Sequence, residues 1–386
     1  MSIRTPSPGT PPTPGTPAAG PRSTATPPAA DAPRTACARA ADALSRWLVA
    51  GATQAPSGAF CGWRDEETGE LSAPYPEITG YILTFLTGLG PTAAARATDA
   101  ADWLAARAEA GDFAARSEKT QGAVYTFDVA MIAHGLLRFG RATAAPRLVD
   151  AGLAYADVLV RAAAAHGPLP PVVPGTEPGP LPAAWSTRGR VHLLKTVQAL
   201  LAAADQGLPG AMRLATSLTD EAHTWQEPDA FPPPTRPGST VLSLHALCYA
   251  AEGLWMWADH TGDTRALDRS RALTAWVWQQ RLPTGGFPGF VDLARGAPTP
   301  VGERQSDVVA QTLRLALLHR LPDADTAAEA ALLSADLRHL ADGQAAVPYR
   351  PGAPERHLNT WASMFAAQAL RLAADPHPSM NWQELV

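Results

Sequence analysis

Residues 304–318 read Arg304-Gln305-Ser306-Asp307-Val308-Val309-Ala310-Gln311-Thr312-Leu313-Arg314-Leu315-Ala316-Leu317-Leu318. Polar residues open the stretch. Its remainder is apolar on most sides of a helix, except that Asp307, Gln311 and Arg314 recur at i, i+4 and i+7, one above another on a single face. A helix that is apolar nearly all round is buried. A polar stripe along such a helix needs a polar space to face, because burying unpaired polar groups costs a few kcal/mol each. The stretch therefore predicts an inner helix beside a cavity.

Five more segments open the same way: Pro76-Glu77-Ile78-Thr79-Gly80-Tyr81, Tyr125-Thr126-Phe127-Asp128, Arg188-Gly189-Arg190-Val191-His192-Leu193-Leu194-Lys195, Ser239-Thr240-Val241-Leu242-Ser243-Leu244-His245 and Arg356-His357-Leu358-Asn359-Thr360-Trp361. They recur roughly every 50 to 65 residues, a spacing that marks stacked supersecondary units sharing one core. Between them run amphipathic helices with charged faces, such as Asp99 to Arg107 and Asp325 to Leu340. The pattern predicts twelve helices, at 35–49, 76–89, 91–109, 124–140, 146–163, 188–205, 209–226, 239–260, 264–281, 303–320, 323–341 and 356–374. Strand-like alternation is nearly absent. Six hairpins with an apolar inner member and an amphipathic outer member give an all-α fold, a closed (α/α)6 toroid. Tight links such as Leu89-Gly90-Pro91 lie at one end and long loops at the other, and long loops on a rigid scaffold are the usual seat of function. The longest, 164–187, is rich in Pro and Gly and reads as a semi-rigid rim.

The domain spans 35–376, with a C-terminal tail at 377–386. Residues 1–34 are dominated by Pro, Thr, Ala, Gly and Ser and contain no aromatic residue. Such a segment cannot bury enough apolar area to offset its ordering entropy, which predicts a disordered tail. It lacks the apolar core of a secretory signal, and no apolar run is long enough to span a membrane. The net charge of −5 offers no footprint for nucleic acid. Three widely spaced cysteines, Cys37, Cys61 and Cys248, suit a reducing cytoplasm without a disulfide framework or metal spacing. The sequence leaves oligomeric state open.

The polar stripes supply the candidate site. They are Glu77 and Tyr81; Asp128 beside Tyr125; Arg188, His192 and Lys195; His245, Tyr249 and Glu252; Arg304, Asp307, Gln311 and Arg314; and His357, Trp361 and Gln368, with Asn359 in the last opening. Six helix N-termini, together with Lys119, Arg188, Arg190, Lys195, Arg304 and Arg356, would make the mouth favour an anion. Aromatic residues near the mouth (Trp63, Trp185, Trp361, Tyr75, Tyr81, Tyr125) suit the faces of sugar rings. Each residue also has a structural reading. Glu77 and Asp128 can serve as first-turn acids, Arg304 and Asp307 can pair within one helix, and Glu252 can bridge inner helices.

The segments Lys119 to Leu136 and His245 to Asp263 resemble the corresponding inner helices of N-acylglucosamine 2-epimerase-type enzymes, the second through His245, Glu252, Trp255 and the terminal Thr261-Gly262-Asp263. The architecture resembles (α/α)6 carbohydrate enzymes more broadly, including uronyl C5-epimerases and unsaturated glucuronyl hydrolases. Tyr75-Pro76-Glu77-Ile78-Thr79-Gly80-Tyr81 looks like a motif of toroid proteins linked to polysaccharide assembly. The resemblance implies a cofactor-independent enzyme acting on a sugar, uronate or glycoside, with epimerisation or isomerisation ahead of elimination or hydrolysis. Glu77, Asp128, His245, Asp307 and His357 are the catalytic candidates. Tyr81, Lys119, Tyr125, Arg190, His192, Lys195, Glu252, Arg304, Gln311, Asn359 and Trp361 are the substrate-binding candidates. No phosphate loop, metal cluster or dinucleotide fingerprint is present. The alternatives are a terpenoid-cyclase-like toroid, for which the acid-rich Asp-x-Asp-Asp type of motif is missing, and a non-catalytic glycan-binding or scaffold toroid.

Overall fold

The computed structural model describes residues 31–114, 122–177, 179–226, 231–352 and 356–386. Twelve helices of two turns or more lie among them: α1 Asp31–Val49, α2 Pro76–Gly88, α3 Thr98–Glu109, α4 Thr126–Ala142, α5 Pro146–His166, α6 Val197–Ala204, α7 Ala211–His223, α8 Leu244–Thr261, α9 Thr264–Trp278, α10 Ser306–His319, α11 Thr326–Ala335 and α12 Thr360–Ala374. A 3-10 segment, Val191–Thr196, leads into α6. The even-numbered helices form a closed inner ring, each touching the next and α12 returning to α2. The odd-numbered helices pack outside them. The toroid read from the hairpin period is therefore the fold. Residues 1–30, most of the segment expected to be a tail, lie outside the described residues, and α1 begins at Asp31, four residues ahead of its expected start.

Burial agrees with the sequence pattern. Pro76 to Leu86 of α2 and Ser306 to Ala316 of α10 are buried without a break. Two glycine contacts set how closely inner helices approach. A Cβ added to Gly135 of α4 would lie 2.2 Å from the carbonyl oxygen of Gly80 on α2, and one on Gly253 of α8 would lie 2.2 Å from that of Leu194. These helices meet backbone to backbone, which only glycine permits.

The expectation of almost no strand needs correcting. Among the described residues, seven short strands decorate the long-loop end: β1 Trp63–Asp65, β2 Val241–Ser243, β3 Pro288–Asp292, β4 Thr299–Arg304, β5 Arg338–His339, β6 Ala345–Pro348 and β7 His357–Asn359. They form a four-stranded sheet in the order β1-β7-β6-β5 and a three-stranded sheet in the order β2-β3-β4. All pairs are antiparallel. Consequently α8, α10 and α12 start later than expected, each just after a strand.

The C-terminal residues fold back under the short-turn end. Leu385 and Val386 are fully buried there. Gln198 donates to the carbonyls of Trp382 (2.8 Å) and Leu385 (2.9 Å), and the Val386 amide donates to Gln368 at 3.2 Å. The segment expected to be a tail thus closes the lower end of the barrel. Among the described residues, no helix is long and apolar enough to cross a membrane.

Candidate active site

The inner helices deliver their first turns to one mouth. Pro76 begins α2 and places Glu77 in its first turn; Asp128 and Asp307 hold similar first-turn places on α4 and α10. A carboxylate there is favoured by the helix dipole. Ser243 caps α8 by accepting the Ala246 amide at 3.3 Å, which sets His245 in the opening turn. These four side chains and His192 line a cavity of about 130 Å3. Its other walls are aromatic: Tyr75, Tyr125, Phe127, Trp185, Tyr249, Tyr349 and Trp361, with Ser186 at the rim. The volume is well below the ~300 Å3 at which drug-sized pockets begin.

His245 Nδ1 lies 3.2 Å from Asp307 Oδ2, within reach of proton exchange once ring and carboxylate align. Burial pushes His245 below its ordinary value, partly opposed by Asp307. Burial pushes Asp307 up, partly opposed by His245, by the Val308 amide and by Tyr349. Both shifts favour the neutral pair, in which a carboxyl proton and a free imidazole nitrogen are available together. The rings are packed tightly. His245 stands edge-on to Tyr249, centroids 4.2 Å apart, and Trp185 meets both His192 (5.1 Å) and His245 (5.6 Å) edge-on.

Beneath this mouth a buried polar network forms the floor. Glu252 accepts from Lys195 at 2.6 Å, from Gln311 at 3.1 Å and from Arg314 Nε at 3.1 Å, and Glu252, Lys195 and Arg314 are all fully buried. Burial pushes Glu252 up, but Arg314 and Lys195 together bring it below its ordinary value. Burial lowers Lys195 to about 8 in spite of Glu252. The Lys195 ammonium also sits 5.4 Å from the Tyr81 ring and 5.0 Å from the Tyr249 ring, contacts that stabilise a desolvated cation.

The structure brings Glu77, Asp128, His245, Asp307, Tyr125, His192 and Trp361 to the cavity wall. It places Tyr81, Lys195, Glu252 and Gln311 in or against the floor network, not on the wall. Four further candidates lie outside the lining. Arg190 is paired with Glu221 and the Leu169 carbonyl. Arg304 is bound to Asp336 at 2.6 Å. Asn359 caps α12 through the Ala362 amide at 2.8 Å. His357 sits on β7 and stacks on Trp63, centroids 3.7 Å apart, because the β1–β7 register sets these rings diagonally on one face. Lys119 lies outside the described residues. In contrast to the cationic mouth expected from the sequence, the lining among the described residues carries three carboxylates and two histidines and no Arg or Lys. Arg190 and Arg304, predicted for it, are neutralised by acids elsewhere. Ser186 and Tyr349 went unrecognised in the sequence, since one lies in a single helical turn and the other in a loop, too short for any periodicity. Cys61, pushed up to about 11, and Cys248, to about 12, are held as inert thiols by burial. No group of His, Cys, Asp and Glu among the described residues is arranged to hold a metal ion.

No protein-family model matches the sequence, and no curated protein matches it. Solved structures do match in fold. D-mannose isomerase superposes with a TM-score of 0.63 at 14% identity, over 89% of this chain and 99% of that one. A sugar epimerase from a ruminal bacterium gives 0.62 at 12% identity, over 88% and 99%. Unsaturated glucuronyl hydrolase from Bacillus sp. GL1, described as responsible for the degradation of glycosaminoglycan, gives 0.59 at 15% identity, over 92% and 98%. At such identities the likeness establishes the fold, and the chain is an (α/α)6 toroid similar to these proteins in architecture.

Proposed function

We propose that the chain is a carbohydrate-processing enzyme that works on a single sugar ring by general acid–base catalysis, with Asp307 and His245 as its proton-handling pair. The observation that carries this reading is the 3.2 Å contact between those groups inside an aromatic, carboxylate-lined mouth. Aromatic walls bind the apolar faces of a pyranose while its hydroxyls meet the carboxylates and histidines. The folds it resembles belong to proteins named for sugar isomerisation, epimerisation and glucuronyl hydrolysis.

The charge of the lining favours bond cleavage over epimerisation, which reverses the order expected from sequence. An enolate formed during epimerisation would develop negative charge among three carboxylates. A glycoside or enol ether protonated at its reacting atom develops positive charge instead, which Glu77 and Asp128 stabilise as carboxylates. In the cleavage reading, neutral Asp307 gives its proton to the substrate as the bond to the departing group breaks. Water adds to the resulting cation and Glu77 or Asp128 takes the water's proton; that proton then passes back to the Asp307 carboxylate, and neutral His245, 3.2 Å from it, is the group that can accept it on one nitrogen and release one from the other. Epimerisation remains the second reading because two histidines, His192 and His245, share the cavity wall and supply the two proton-transfer groups that such a reaction uses.

Incubation with a panel of glycosides, unsaturated uronosides and free sugars in D2O, with NMR and mass spectrometry as readouts, tests the proposal. Cleavage abolished by Asp307→Asn supports it. Deuterium exchange at one carbon without cleavage would transfer the assignment to epimerisation. Ligand binding without turnover across the panel would overturn the enzyme reading.

A further inference from the structure

Tyr349 lines the mouth together with Asp307, and no step of the proposed cleavage uses it. It follows β6 in a loop that is tied to the opening of α10. The Ser306 amide donates to the Tyr349 carbonyl at 3.0 Å, and the Ser306 hydroxyl donates to the Pro348 carbonyl at 2.8 Å. Ser306 immediately precedes Asp307, so the two wall residues share one backbone anchor. The Tyr349 hydroxyl donates to Gln305 Oε1 at 3.2 Å. Gln305 is itself fixed. It is buried, and its amide donates to the Phe287 carbonyl at 3.2 Å. Its side chain lies so close over Gly289 of β3 that a Cβ there would sit 2.5 Å from Nε2.

A phenol has one proton to donate and lone pairs with which to accept. The same hydroxyl reaches Asp307, where its hydrogen bond favours the ionised carboxyl. It cannot give its single proton to Gln305 and to Asp307 at once. While Asp307 is protonated, Gln305 takes the phenol proton and Asp307 meets only lone pairs. Once Asp307 has given its proton away, the carboxylate is the better acceptor, because hydrogen bonds to ionised groups are roughly twice as strong as neutral ones. Turning the O–H about its C–O bond is enough to redirect it. The ring itself stays in place, edge-on to Trp361 with centroids 6.1 Å apart.

We propose that Tyr349 is a positioning residue for the mouth acid, its hydroxyl alternating between Gln305 and the Asp307 carboxylate as Asp307 loses and regains its proton. The inference rests on the reading of Asp307 as the acid. Other charged groups surround Asp307: His245 from α8, Glu77, Asp128 and His192 across the cavity, and the Glu252, Lys195 and Arg314 network below. Substitutions at Tyr349 and Gln305 leave all of these unchanged, so differences between variants report the hydroxyl alone.

Carbon NMR titration of the full chain, labelled with 13C at the aspartate carboxyls, tests the proposal. The Asp307 resonance is identified by its absence from Asp307→Asn. The parent should show a midpoint above the ordinary carboxylate range. Tyr349→Phe keeps the ring and both backbone ties but removes the donor, and should move the midpoint up by about one pH unit, a tenfold rise in proton affinity. Gln305→Met removes the competing acceptor, leaves the phenol proton to Asp307 and should move the midpoint down. A packing role gives no reason for opposite signs. On any glycoside of the panel that the parent cleaves, the alkaline limb of kcat/KM should shift in the same two directions. A raised parent midpoint that Tyr349→Phe fails to lift, or that Gln305→Met fails to lower, would overturn the role of Tyr349 and leave Asp307 as the acid. An ordinary carboxylate midpoint in the parent would remove Asp307 as the acid, and this proposal with it.

Discussion

Replacing Glu252 by Gln probes the floor of the site with little change of shape. Among the described residues, the carboxylate of Glu252 is the one anion in direct contact with both Lys195 and Arg314, and all three are fully buried. Glutamine keeps the volume and can still accept from Arg314, but it turns an amide donor or a neutral oxygen toward the Lys195 ammonium. Breaking a buried pair by removing one partner costs about 3–5 kcal/mol. With about 2.1 cal/mol/K of unfolding entropy per residue over roughly 350 residues, that corresponds to a fall in Tm of about 4–7 °C. The pH dependence gives a sharper signature. Lys195 sits at about 8 with Glu252 in place; without that anion it falls further, away from its unfolded value of 10.5. A lysine depressed in the fold leaves the unfolded state binding more protons, so stability rises with pH through that window. The deficit of Glu252→Gln should therefore shrink between pH 6 and 8, by up to about 1.4 kcal/mol per pH unit. Urea denaturation at pH 6, 7 and 8 measures this, with Lys195→Met/Glu252→Gln as the partner variant. A deficit under about 1 kcal/mol at pH 6, well short of the cost of a broken buried pair, or a double variant no more stable than the single one, would refute the reasoning.

The same kinds of contact give three further outcomes. Asp307→Asn should lower turnover at least about 100-fold, yet match or exceed the parent in thermal stability at pH 7.5. The folded pKa of Asp307 is raised by burial, so the parent loses stability as pH climbs from the ordinary carboxylate value through the raised one, and the amide does not; a clear loss of Tm in the variant would contradict this. Burial holds His134 at about 3 and His319 at about 4, so below pH 6.5 the unfolded state takes up protons first and stability falls by up to about 1.4 kcal/mol per pH unit for each ring. Denaturant midpoints from pH 7 to 4.5 should show this slope, and His319→Asn should flatten it. Gly135→Ala should cost about 3 kcal/mol by forcing α2 and α4 apart, and an unchanged Tm would mean that the two helices do not meet backbone to backbone.

The fold was legible because its signal is local: each inner helix is apolar on most sides and each begins with a polar turn. The mouth carboxylates were legible for the same reason, since Glu77, Asp128 and Asp307 occupy first-turn positions. The strands were not, because two or three residues such as Trp63–Asp65 become a strand only by pairing with His357–Asn359 from the far end of the chain. The cations were misread because a sequence does not announce which acid will meet an arginine. Arg190 finds Glu221, 31 residues away, and Arg304 finds Asp336, 32 residues away. His357 failed as a cavity residue once the last inner helix proved to start at Thr360, which changes the period from 3.6 to 2 and turns the ring toward Trp63.

Charge is distributed along the barrel axis in the opposite sense to the one the sequence suggested, a cationic mouth acting on an anionic ligand. In the structure the cations lie below the mouth: Lys195 and Arg314 share Glu252, and Arg314 also meets the Val386 main-chain oxygen, beneath the three wall acids. Lys195 and Glu77 attract each other across that boundary, in surroundings where charges interact more strongly than in water. The buried cations therefore act on the chain's own acids. One axis thus carries a carboxylate-rich mouth above a charge-paired, aromatic-belted floor.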